Sequence, residues 1–180
     1  MSTGGFLEVG LVMERLEGDL AVDVSSRAVL HKPYTEAELR HILECMSEAL
    51  LYAKLRVRTS KGVAHRDIKP GNIFLDKGQY KLGDFGSAYA ANKAVINKAD
   101  GTLEYSSPEM YERILGREVE VDYFQGNQSY LFYSSGIIYY YFQSDVYSLG
   151  VTLLHLAKLE LPTSICQAGY NTQLKQKRAG

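Results

Sequence analysis

Twenty Lys and Arg against twenty-one Asp and Glu leave this 180-residue chain with a formal charge of −1, and hydrophobic residues make up 46% of it. Those proportions exclude wholesale disorder and give no support to a general nucleic-acid or membrane-surface binder. Two distant cysteines, Cys45 and Cys166, exclude a disulfide framework or a zinc cluster, and the longest apolar run, near 130–142, is broken by Ser134, Ser135 and Gly136.

In chain order, Gly10-Leu11-Val12-Met13-Glu14 reads as a short buried strand, and Glu17-Gly18-Asp19 as a turn. A helix is predicted from about Thr35. Thr35 can cap its free amides, with Glu38 completing a capping box. Leu39, Ile42, Leu43, Met46, Leu50 and Ala53 recur at the spacing of one helical face, which belongs in a core. The segment 54–59 has no clear period, and Lys61-Gly62 ends it. Asn72-Ile73-Phe74-Leu75 and Tyr80-Lys81-Leu82, separated by Asp76-Lys77-Gly78-Gln79, read as a hairpin. Pro108 to Leu115 looks like a short helix with Pro at its start, and Val146 to Leu159 like an apolar helix buried nearly all round. The tail from Gln167 is polar and expected to fray. No basic stretch leading into an apolar core opens the chain, so the expected setting is soluble and reducing: the cytoplasm, with the nucleus as the other option.

Chemistry concentrates at the two ends of the hairpin. His65-Arg66-Asp67-Ile68-Lys69-Pro70-Gly71-Asn72 offers a carboxylate, an ammonium and a carboxamide just before the first strand, and Asp84-Phe85-Gly86 follows the second. A hairpin brings its ends together, so Asp67, Asn72 and Asp84 are expected to converge. Asn72 and Asp84 supply hard oxygen donors that suit Mg²⁺, which keeps its other positions for phosphate and water. Lys69 is a point charge suited to a phosphoryl group, and Asp67 can orient a hydroxyl and accept its proton. Any one of these triplets alone is more often a solvated turn. Their order and the hairpin-length spacer argue against that reading.

With these motifs in hand, the chain resembles the eukaryotic protein kinase family, in its His-Arg-Asp-x-Lys-x-x-Asn loop (65–72) and its Asp-Phe-Gly triplet (84–86). Gly101-Thr102-Leu103-Glu104-Tyr105, Ser107-Pro108-Glu109 and Asp145-Val146-Tyr147-Ser148-Leu149-Gly150 extend the resemblance over roughly residues 8–161. Lys69 together with Thr102 is similar to the serine/threonine type. The resemblance implies an α+β, protein kinase-like fold: a mainly α-helical C-lobe with a small β-hairpin and the N-lobe largely absent. Residues 1–161 would be a partial kinase domain and 162–180 a disordered polar tail.

By the same resemblance, ATP and Mg²⁺ are the cofactors and a protein Ser/Thr hydroxyl is the substrate, with no nucleic-acid or membrane partner. Asp67 would be the catalytic base, Lys69 would steady the transferring phosphoryl group, and Asn72 and Asp84 would hold the metal. Glu14 and Leu16 would offer backbone groups to adenine, with Met13 as gatekeeper and Asp19 near ribose or a basic substrate residue. Asp145 would accept amide hydrogens from the catalytic loop, and Arg66 would receive a phosphate on the following loop. His65 and Phe85 are expected to pack and not to react. Between Ala88 and Gly101 the only hydroxyl is that of Tyr89, close to Asp84, so loop phosphorylation is expected to be absent, with Asp100 as a weak stand-in.

The family's Gly-rich loop, strand Lys and helix Glu find no match among the nine residues before Gly10. The expectation is therefore weak nucleotide affinity and negligible turnover by this chain alone. The alternative is a pseudokinase-like binding module, or an incomplete fragment without catalysis. One stretch reads unlike the rest. Gly126 to Gln143 carries no charge but five Tyr and two Phe, and Tyr-Phe-Gln stands both at 123–125 and at 141–143. Excising 126–143 yields a sequence closer to the family, which is compatible with a natural loop insertion or with a translated intron.

Overall fold

The computed structural model describes residues 10, 12–55, 62–90, 101–116 and 131–161. Four helices and two small antiparallel sheets build it: α1 (Leu20–Val29), α2 (Glu36–Leu55), α3 (Pro108–Ile114) and α4 (Leu131–Lys158), with β1 (Gly18–Asp19), β2 (Val63–Ala64), β3 (Ile73–Asp76), β4 (Gln79–Leu82) and β5 (Tyr89–Ala90). β1, β3 and β4 form one sheet in that order, and β2 pairs with β5.

The segment expected to open with a strand does otherwise. Residues 12–16 have no regular structure, and Val12 and Met13 are 97% and 75% exposed. Pairing begins later, where the Glu17 amide donates to the Leu75 carbonyl at 3.0 Å and Gly18 and Asp19 sit opposite Leu75 and Phe74. The expected turn at 17–19 is in fact this strand and the cap of an unforeseen helix. Asp19 Oδ1 accepts the amides of Ala21 and Val22 at 2.9 and 3.0 Å, satisfying two donors that start α1. Leu20 and Val24 then bury one face, while Val22 and Val29 stay exposed.

α2 starts as its capping box dictates. The Glu38 amide donates to Thr35 Oγ1 at 3.2 Å, and the Thr35 amide donates to Glu38 Oε2 at 2.7 Å. Arg27 of α1 adds a 2.7 Å bond to Glu38 Oε1, tying the two helices together. Ile42, Met46 and Ala53 are buried and Leu39 and Leu50 partly so. Leu43 departs from the expected face and is 43% exposed. The core gathers Leu20, Val24, Ile42, Met46, Ile73 and Leu156 from α1, α2, β3 and α4. Each such side chain contributes roughly 1.5–3 kcal/mol on burial.

The hairpin forms, with Ile73 opposite Leu82 and Asp76 opposite Gln79; the strands take in Asp76 and Gln79, expected in the turn, while Asn72 ends the 3-10 turn before β3. α4 is longer and less uniformly buried than its sequence suggested: it starts at Leu131, inside the charge-free stretch, and Val146 is 64% exposed. Residues 126–130, the 162–180 tail, Asp100 and Cys166 lie outside the described residues. No helix among the described residues is long and apolar enough to cross a membrane.

Two tests of this architecture follow from backbone and charge. Gly62 has φ +81°, and a Cβ there would lie 2.4 Å from the Lys54 carbonyl oxygen, whereas Gly78 has φ +77° and open space around it. Gly62→Ala is expected to lower the unfolding free energy by about 2–4 kcal/mol and Gly78→Ala by only about 1, as read by urea denaturation. Hydrogen bonds from Arg27 and Thr35 hold the Glu38 carboxyl down at about 2, against an ordinary 4.5. Its stabilisation is complete above pH 4.5 and lost as pH falls toward 2, so Glu38→Gln should flatten that part of the stability–pH curve.

Candidate active site

The loop 65–69 enters from β2 and leaves through a single 3-10 turn, Pro70–Asn72, into β3. It is fixed from outside. Asp145, buried on α4, accepts the amide of His65 at 2.8 Å on one oxygen and that of Arg66 at 2.7 Å on the other. Burial pushes the Asp145 carboxyl up to about 6, outweighing the two amide bonds that favour its charge. Arg66 adopts φ +68°, a left-handed conformation rarely taken by a non-glycine residue, and the bond from its amide helps hold it there.

His65 links the two loops that flank the hairpin. Its Nε2 lies 2.9 Å from the Gly83 carbonyl, and its Nδ1 accepts the Asp67 amide at 3.3 Å, so the neutral ring donates through Nε2. Burial lowers its pKa, consistent with that neutral form. The Gly83 amide in turn donates to the Asn72 carbonyl at 2.9 Å. Asp84 follows immediately at φ +56°, exposed, with Oδ1 accepting the Gly86 amide at 3.2 Å. Phe85 packs edge-on against His65 at 4.7 Å.

Around Asp67 the side chains close into a network. Lys69 Nζ sits 2.9 Å from Asp67 Oδ2 and donates to Thr102 Oγ1 at 2.8 Å, while Thr102 donates to Asp67 Oδ1 at 2.7 Å. Asn72 Nδ2 donates both to the Asp67 carbonyl at 2.7 Å and to Oδ2 at 3.0 Å. Burial alone would raise the Asp67 carboxyl, but the bonds from Lys69, Thr102 and Asn72 and the Lys69 charge hold it below its ordinary value. An ionised acceptor therefore sits at the centre of the loop, able to take a proton from a hydroxyl placed against it.

Both amide-nitrogen bonds of Asn72 face Asp67, which leaves Oδ1 as its remaining donor atom toward a cation. Among the described residues no three or more His, Cys, Asp or Glu converge on a point. Asn72 Oδ1 and the Asp84 carboxylate are hard oxygen donors, the kind that suits a cation such as Mg²⁺ completed by phosphate and water.

The other expected positions lie on the first described segment and at the start of α1. Met13 and Glu14 are exposed and Leu16 half-buried on the strand-free segment before β1. Glu14 pairs with Lys81 at 3.0 Å, and Lys81 also reaches Asp76 at 2.7 Å. Asp19 spends one carboxylate oxygen on capping α1. Three contacts were not foreseen: Thr102 on Asp67, Tyr105 on His155 at 2.8 Å, and Arg66 over the Tyr141 ring. Thr102 stands six residues before Pro108, a spacing that gave a hint of type but not of contact.

The loop thus presents an ionised carboxylate beside a lysine, with a carboxamide and a second carboxylate at the neighbouring strand ends. The model of the protein kinase domain matches residues 7–178. The chain belongs to the protein kinase family. It is 31% identical over 166 residues to the inhibitor of nuclear factor kappa-B kinase subunit epsilon of Mus musculus, covering 89% of this chain and 20% of that protein. It is 32% identical over 158 residues to the serine/threonine-protein kinase Nek2 of Homo sapiens, covering 84% of this chain and 30% of that one. A shorter match, 47% identical over 66 residues, joins it to the interferon-induced, double-stranded RNA-activated protein kinase of Mus musculus, covering 34% of this chain and 13% of that protein. The chain thus spans less than a third of the length of these relatives.

The grip of Asp145 on the loop is open to test. Asp145→Ala removes the acceptor of two buried amides and is expected to cost about 2–5 kcal/mol of stability in urea unfolding. Ser148→Ala, which removes one hydroxyl bonded to the Ser144 carbonyl of its own helix, should cost less than about 1.

Proposed function

We propose that this chain supplies the catalytic and metal loops of a serine/threonine protein kinase, and that its described elements form the larger, mainly helical lobe, with the hinge within 12–16. The observation that carries the reading is the closed network of Asp67, Lys69, Thr102 and Asn72. In it Asp67 receives the proton of a Ser or Thr hydroxyl on a protein substrate. Lys69, already within reach of Asp67, steadies the phosphoryl group as it passes. Thr102 bridges the two and holds their spacing.

Asn72 through Oδ1, and Asp84 through the oxygen not used by Gly86, would hold Mg²⁺. When bound, Mg²⁺ offsets the charge of the ATP phosphates and polarises them toward attack. Met13, Glu14 and Leu16 would flank adenine, and Asp19 keeps one oxygen for a ribose hydroxyl or a basic substrate residue. Lys81 supports this arrangement by joining Glu14 to the hairpin that carries Asn72 and Asp84.

The test is nucleotide binding and transfer by the full chain. Mg²⁺-dependent ATP binding, weak in the parent, is expected to fall about tenfold or more in Asp84→Asn. Asp67→Asn should leave that binding within about twofold and lower any transfer to a Ser/Thr peptide by about 10²–10⁴-fold. Binding indifferent to both Mg²⁺ and Asp84→Asn would sink the kinase reading and leave a docking module in its place.

A further inference from the structure

Arg66 adjoins Asp67, and the family pattern directs attention to the loop between Ala88 and Gly101 for its partner. The structure provides a contact on another element. The Arg66 guanidinium lies over the ring of Tyr141 on α4, 5.3 Å from its centroid. The same ring meets Tyr89 of β5 in an edge-to-face arrangement, with centroids 5.4 Å apart and planes at 61°. Arg66, Tyr141 and Tyr89 are all buried, so water weakens neither contact.

The placement of Tyr141 within α4 gives this ring leverage. It stands four residues before Asp145, one helical turn away and on the same side of the helix. Asp145 holds the Arg66 amide at 2.7 Å, so α4 grips one residue twice, by its backbone and by its guanidinium. Tyr89 pairs with Ala64 across β2 and β5, and it lies five residues beyond Asp84. A single ring therefore touches both the loop that carries Asp67 and the strand that leaves the Asp84 turn.

The repeated triplet sharpens the point. Tyr-Phe-Gln occurs at 123–125 and at 141–143, and the second copy is the one built into the described fold. Tyr141 is only 1% exposed, and Phe142 beside it is buried with Lys54 Nζ 5.4 Å from its ring centroid.

We propose that Tyr141 is a positioning residue. Its face seats Arg66 and its contact with Tyr89 fixes the strand after Asp84, so the base loop and the metal loop are held in register by an aromatic side chain in a seat that needs no phosphate group. The importance of that register rests on the kinase reading, but the geometry of the clamp does not.

Amide exchange on the full chain, without nucleotide, reads the clamp directly. Tyr141→Phe keeps the ring and is expected to leave 64–69 and 86–90 as protected as in the parent. Tyr141→Leu should speed exchange about threefold or more in both segments together. Arg66→Met keeps an apolar stem without the cation, and it should speed exchange at 86–90 by about twofold or more. The proposal is overturned if Tyr141→Phe disrupts as much as Tyr141→Leu, or if Tyr141→Leu loosens α4 alone. Should Tyr141→Leu fail to fold, unchanged exchange at 86–90 in Arg66→Met overturns it instead. Nucleotide takes no part in this readout, so the clamp and the kinase reading can fail separately.

Discussion

One buried carboxylate organises this molecule. Asp145 reaches from α4 to two successive amides, of His65 and Arg66, that stand 80 and 79 residues earlier in the chain. Burial disfavours its charge, and two short charge-assisted hydrogen bonds oppose that cost. Everything that follows in the loop inherits its position from this anchor. His65 is set to reach Gly83, Arg66 is held in a left-handed conformation, and Asp67 emerges facing Lys69, Thr102 and Asn72.

The second constraint is the hairpin, which converts sequence distance into proximity. β3 and β4 pair in a register that brings Asn72 and Gly83 into backbone contact, and Asp84 begins one residue beyond. The two non-glycine residues with left-handed backbone in the site, Arg66 and Asp84, each sit next to a residue proposed to do chemistry or do it themselves. Such conformations persist only where surrounding bonds over-determine them. Here those bonds come from Asp145, His65 and Gly86. The segment 102–107 is fastened to the same helix, by Tyr105 on His155 and by Ser107 and Ser144 at 2.8 Å. α4 is thus the common backing of the loop that carries Asp67 and of the segment that presents Thr102.

What was legible in the sequence was local. Thr35 and Glu38 announced the start of α2 because a capping box involves residues three apart. The hairpin announced itself through Gly78 between two apolar runs, and with it the closeness of its two ends at Asn72 and Gly83. α1 was hidden because Glu17-Gly18-Asp19 has the composition of a turn, and Asp19 serves as readily in a turn as in a cap. The strand expected at 10–14 failed because a short apolar run carries no information about whether anything covers it. Residues 12–16 are largely exposed, and β pairing starts only where Leu75 offers a carbonyl. The contact of Arg66 with Tyr141 was not readable, since its partners lie far apart in sequence and neither a cation nor an aromatic names the other.

The two Tyr-Phe-Gln triplets have a consequence for how this chain tolerates editing. Removing 123–140 and removing 126–143 leave one and the same polypeptide, because the retained triplet is identical in either case. The product reads Val121-Asp122-Tyr-Phe-Gln-Ser-Asp, and its triplet falls on the register now occupied by Tyr141, Phe142 and Gln143. Among the described side chains, those through which α4 holds the loops, from the aromatic seat of Arg66 to Asp145 and His155, lie at or beyond that triplet. A messenger with or without these eighteen codons would accordingly encode the same set of anchors. The two products would differ only in what precedes them.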